Sequence, residues 1–366
     1  MNPILVEAWR GNTVESFHRG AYAVVDAAGA VVAARGDIER PVFARSAIKI
    51  LQALPLVDSG AADRFGLTDD ELALACASHD GEAAHVQTAA SMLSKAGFDE
   101  RVLECGTHWP YNEAAKLALA AAGATPSALH NNCSGKHAGF ICVACMMAGN
   151  RDHRAFFSGY VEPGHALMRE ITAAVENATG CNLATAPRAT DGCSIPTFGI
   201  ALKQLAHAFA RVATGRGLTP GRAAAARRLR AAVAASPFMV GGSARFDTRV
   251  MALFGERVFC KVGAEGMYCA ALPEAGWGLA LKMDDGNNAR ACEVAVAALF
   301  EALGLARNEP ERALLAELSD VSLRNWRGID VGRLAAHAEL RRTLPHISAL
   351  KETPGRSQVS LTPRGA

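Results

Sequence analysis

The stretch FARSAIKILQ, residues 43–52, sets Ser46 and Lys49 three positions apart in an apolar segment of helical pattern. Positions i and i+3 share a helix face, with Cβ atoms about 5–6 Å apart. The following run, IKILQALPLV, offers Lys49 little polar surface. Burial disfavours the charged form of a lysine, and a neutral amine beside a serine hydroxyl is a competent general base. The pair can therefore make a serine nucleophile. The same residues also read as a plain helix start, with Ser46 as the cap and Lys49 as a solvated charge.

Companions elsewhere in the chain bear on that choice. In Ser-x-x-Lys acyl enzymes the pair works with a serine loop from a helical lobe and a Lys-Thr-Gly on a strand. Here CASHDGE carries Ser78-His79-Asp80 just after a predicted helix, and CKVGAEG carries Lys261-Val262-Gly263 at the end of a β-like run. The chain order matches, with Val in place of Thr and Asp in place of Asn. HNNCSGKHAGF, residues 130–140, is not a phosphate loop, because His130 stands where its first glycine belongs. It opens a helix with Cys133 and Lys136 at i, i+3 and His137 adjacent, and a helix N-terminus favours thiolate. TDGCSIPTFG adds Cys193, with Asp191 two residues before it. Two thiolates suit zinc. Equally, free cysteines are often small core hydrophobes, the reading given to Cys142 and Cys145 on the same helix.

RSAIK, SHDGE, HNNCSGKHAG, TDGCSIP and KVGAEG together resemble the Rhizobium-type L-asparaginases, over residues 5–305. The resemblance implies a serine β-lactamase- and glutaminase-like fold, a homodimer, and hydrolysis of L-asparagine to L-aspartate and ammonia. It implies two serine–lysine tandems, Ser46 with Lys49 and Ser78 with Lys261, and a Zn²⁺ held by Cys133, Lys136 and Cys193. Asp191, next to the metal, is joined by His137 and Arg45 in the expected substrate-binding set. In the expected chemistry Ser46 attacks, Lys49 takes its proton, and Ser78, polarised by Lys261, relays a proton to the leaving ammonia. The missing Lys-Thr-Gly hydroxyl and Ser-Asp-Asn loop argue against penicillin-binding or β-lactamase activity. Two alternatives stand: a glutaminase or other amidohydrolase, since one methylene is worth only about 1–3 kcal/mol in a pocket, and a non-catalytic zinc- or amino-acid-binding sensor.

Positioning these residues takes a sheet and a helical block. Residues 4–36 read as strands, with a hairpin turn near Gly29. Helices are expected at 46–57, 69–77, 83–96, 113–122, 134–149, 161–178, 199–213 and 220–235. RVFCKVG, GMYCAALP and GWGLALKM read as strands, followed by a helix at 287–304. The expected fold is mixed α/β and serine β-lactamase-like, with an antiparallel sheet built from both chain ends. Its sheet lobe is 1–43 with 240–305, its helical lobe 44–239, and 306–366 forms C-terminal helices and a loose tail. The 366 residues, 50% hydrophobic, are ample for such a core. A net charge of +2 implies no nucleic-acid or membrane partner, and the basic run 222–230 is local to one helix. MNPILVEAWRGN lacks the basic start of a signal peptide, so a cytoplasmic protein is expected, with its ten cysteines as thiols or metal ligands.

Overall fold

Strand Thr13–Asp26 organises the molecule. Its first half pairs with Ile4–Arg10, and its second half with Val31–Arg35 and with Trp277–Met283. In the computed structural model, which describes residues 1–341 and 344–347, the sheet continues through Met267–Leu272 to Phe259–Val262 on one side. On the other side it continues through Asp330–Ala336 to Asp320–Arg324. Every neighbouring pair is antiparallel, so hairpins suffice to join most of them. The sheet thus draws on both chain ends, with the helices between them. This is the mixed α/β arrangement expected above.

Strands Met267–Leu272 and Phe259–Val262 are buried at every position, so they read as unbroken apolar runs. Helix Leu202–Thr214 lies against the sheet centre. Helix Ser134–Ala148 is apolar nearly all round and is buried along most of its length, as a helix without a solvent face must be. Lys49–Asp58, Asp69–Ala75 and Ala83–Lys95 pack on it.

Several expected boundaries shift. The helix expected from 46 is a 3-10 turn, Arg45–Ile48, followed by the α-helix Lys49–Asp58. The helix expected from 161 begins at Ala166, and the one expected from 199 begins at Leu202. Residues Pro196–Ala201 instead form a strand, which joins Pro41–Phe43 and Arg188–Thr190 in a small three-stranded sheet beside the helical block. The segment after 305 is not helices and tail alone. Helix Glu309–Ser319 leads into the two outer strands of the large sheet. Those strands are short, DVSLR and DVGRLAA, and are tied by Arg333–Asp320 and Arg324–Asp330 ion pairs. The expected loose stretch 351–366 lies outside the described residues. Among the described residues no helix is long and apolar enough to cross a membrane.

Candidate active site

The turn Arg45–Ile48 packs against strands Phe259–Val262 and Met267–Leu272. Gly263 permits that approach, because a Cβ there would lie 2.8 Å from the Ala44 carbonyl oxygen. The third residue of Lys261-Val262-Gly263 thus has a steric reason to be glycine. Arg45 holds φ at +50°, costly for a residue with a Cβ and a common feature of functional turns. Ser46 is half-buried and caps no helix. The cap positions of the turn and of the helix after it are Ala44 and Ile48, and neither end has a side-chain cap. The plain helix-start reading therefore fails on both counts, since Lys49 is 1% exposed.

The Lys49 amine donates to the Ser78 hydroxyl at 2.9 Å, to the Asn132 carbonyl at 3.3 Å and to the Ala77 carbonyl. It ties together three segments: its own helix, the end of Asp69–Ala75, and the approach to Ser134–Ala148. Gly135 lets the last two meet, because a Cβ there would come within 2.4 Å of the Leu74 carbonyl oxygen. The Ser78 loop is pinned from the other side, with Ser78 N–H on the Val240 carbonyl and Asp80 N–H on the Gly241 carbonyl, both at 2.9 Å. The pairing differs from expectation. Lys49 bonds Ser78, and among the described residues no hydrogen bond joins Ser46 to Lys49 or Ser78 to Lys261.

Lys261 is fully buried. Its amine donates to the Val262 carbonyl at 2.8 Å and lies 3.7 Å from an Asp247 carboxylate oxygen. Burial pushes it down to about 7, against the pull of Asp247 and helped by the Lys49 and Arg245 charges. Asp247 also accepts the Val262 N–H at 3.0 Å and the Tyr268 hydroxyl. Sequence reading missed Asp247 and Tyr268. An aspartate in the first turn of helix Phe246–Phe254 looks like a helix-start residue, and nothing local announces its burial.

Cys133, Lys136 and Cys193 lie close together. All three are buried; the two sulfurs share a hydrogen bond, and the Lys136 amine lies 3.0 Å from Cys193 Sγ. The hydrogen bond from Cys193, with the Lys49 and Lys136 charges, outweighs burial and holds the Cys133 thiol well below its usual range. Cys193 is pushed up by the same hydrogen bond and by burial. Lys136 is pushed up despite burial, because the sulfurs and Asp191 surround it. Among the described residues no three His, Cys, Asp or Glu side chains could hold a metal ion. A zinc here would rest on two sulfurs and the Lys136 amine. The two sulfurs suit such an ion, and the Lys136 amine would have to lose its proton to join them.

Arg45 forms an ion pair with Asp191, whose Gly192–Ser194 turn depends on Ser194 at φ +75°. Burial raises the Asp191 carboxyl, but Lys136 and Arg45 together hold it below the usual carboxylate range. Beside Arg45 opens a cavity of about 170 Å³, lined also by Phe43, Thr190, Thr197, Glu265 and Lys282. His137 is fully buried, one residue past Lys136. Sequence reading singled out neither His79 nor His108. His79 accepts the Gly81 N–H at Nδ1 and bonds Ser134 Oγ at 2.9 Å, tying the Ser78 loop to the Cys133 helix. His108 accepts the Asn132 N–H at 2.9 Å.

A family model described as L-asparaginase II matches residues 6–336. The chain belongs to the L-asparaginase II family. No curated protein matches it. Among solved structures, a β-lactamase from Mycobacterium bovis is similar at 16% identity and a TM-score of 0.37, over 82% of this chain and 95% of that one.

Proposed function

We propose that this member of the L-asparaginase II family hydrolyses the side-chain amide of L-asparagine, with Ser46 as the nucleophile. The observation that carries the reading is the buried Lys49 amine, bonded to Ser78 and one turn from a serine that is still reachable. Ser78 is only 7% exposed, so substrate meets Ser46 first. Ser46 Oγ attacks the amide carbon and its proton passes into the Lys49–Ser78 pair. Lys261, poised near neutrality, is the group that can take up a proton and return it. Backbone N–H groups of the Arg45–Ile48 turn would face the developing oxyanion. The C–N bond breaks, ammonia leaves with the relayed proton, and water hydrolyses the ester on Ser46. The Asp191 carboxylate suits the substrate ammonium, and Arg45 its α-carboxylate. A Zn²⁺ on Cys133, Lys136 and Cys193 would add a Lewis acid that anchors the amino-acid end of the substrate.

The test is ammonia release from L-asparagine and from L-glutamine, with and without Zn²⁺. The expected result is turnover of asparagine and loss of about 10³-fold or more in Ser46→Ala. Equal use of glutamine would move the reading to a broader amidohydrolase. Most of the activity surviving in Ser46→Ala would remove the nucleophile assignment. No release from either amide would remove catalysis itself.

A further inference from the structure

His137 carries a polar atom that the chain does not satisfy. Its Nε2 is buried without a hydrogen-bond partner. Its Nδ1 lies 2.6 Å from the Tyr160 hydroxyl. That hydroxyl is itself fixed. It accepts the Glu104 backbone N–H at 3.0 Å, while the Glu104 carboxylate accepts the Gly159 N–H at 2.8 Å. The two backbone segments clamp each other, and Tyr160, fully buried, has no freedom to turn away.

The hydroxyl has one hydrogen to give, and among the described residues His137 Nδ1 is the acceptor that meets it. Nδ1 then accepts, and the ring hydrogen must sit on Nε2. A hydroxyl that donates to Nδ1 also leaves no place for a second ring hydrogen there. The Tyr160 ring meets the imidazole edge-on at 5.6 Å, and Phe140 packs tilted at 5.5 Å, which fixes its plane. The result is a held N–H donor on the helix turn that carries Cys133 and Lys136. Leaving a buried donor unpaired costs about 1–3 kcal/mol, a cost that a ligand acceptor would remove.

We propose that Tyr160 is a positioning residue: it locks His137 in the Nε2–H tautomer and so reserves a buried donor for a carboxylate oxygen of the amino-acid substrate or its dicarboxylate product. The choice of ligand rests on the asparagine reading above; the tautomer lock does not.

The experiment is imidazole ¹⁵N NMR of the wild type, Tyr160→Phe and Phe140→Leu, with His137→Gln to assign the signal. The wild type should show the Nε2–H tautomer, and L-aspartate should shift that Nε2 resonance. Tyr160→Phe should give mixed tautomers and raise KM for L-asparagine about tenfold with kcat within about threefold, the size of one lost hydrogen bond. Phe140→Leu disturbs packing alone and should leave the tautomer unchanged. An Nδ1–H tautomer in the wild type overturns the proposal. So does a Tyr160→Phe protein that keeps both tautomer and KM. Should Tyr160→Phe fail to fold, the wild-type spectrum and its aspartate titration still decide. Should the wild type release no ammonia, the functional reading fails while the tautomer spectrum continues to judge Tyr160.

Discussion

Lys261 and Lys136 are buried alike, at 0% and 2% exposure, and respond to that burial in opposite directions. Lys261 faces a single carboxylate at 3.7 Å, beyond hydrogen-bond reach, whose oxygens already serve Val262 and Tyr268. With the Lys49 and Arg245 charges also near, it falls to about 7. Lys136 touches a sulfur at 3.0 Å and feels Cys133 and Asp191 as well, so it stays a cation. Burial sets the cost of a charge; the partners decide whether the group keeps it. The two halves of the site are therefore different instruments. The strand side holds an amine that burial brings down to about 7. The cysteine side holds a fixed charge balance that a metal would have to displace proton by proton.

The comparison breaks most visibly at turnover. Lys261→Met should lower kcat about 10³-fold while the protein folds, read by ammonia release alongside circular dichroism. Lys136→Met should act elsewhere. Zinc retention after dialysis should fall about 10–100-fold and KM should rise, with kcat within about tenfold once zinc is resupplied. If Lys136→Met instead lost kcat as deeply as Lys261→Met at unchanged KM, the division of labour would be wrong.

How far this division was legible in the sequence depends on what each residue needs. Ser46, Lys49, Cys133, Lys136 and Lys261 stand in short local patterns, and the spacing alone put pairs on one helix face or at a strand end. The sheet from both chain ends was legible because Met267–Leu272 and Trp277–Met283 are continuous apolar runs. Which lysine meets which serine was not legible. The Lys49–Ser78 bond spans 29 residues and follows from Gly135 letting two helices touch at Leu74. Asp247 and Tyr268 were hidden for the same reason, since their contact spans 21 residues and neither neighbourhood carries a motif. The edge strand Asp320–Arg324 escaped although DVSLR alternates polar and apolar residues, because so short a run does not let a period of two stand out from its surroundings.

The finest test of the comparison is Asp247→Asn. The amide keeps the shape, its oxygen accepting the Val262 N–H while its NH2 donates to a turned Tyr268 hydroxyl, but the negative charge that supports a protonated Lys261 is gone. Lys261 should then fall below about 7. A base works when neutral, so the acid limb of kcat/KM should move to lower pH by about one unit. Stability should follow the same sign. The folded protein binds fewer protons than the unfolded chain between about 7 and the ordinary lysine value of 10.5, so stability rises with pH across that window. In the variant the rise should begin earlier. Glu293, pushed up to about 7 by burial and by Asp247, titrates in the same range. Glu293→Gln is therefore the control, and it should leave the limb in place. A limb that ignored Asp247→Asn but moved with Glu293→Gln would hand the titration to the carboxyl group and leave Lys261 a buried spectator.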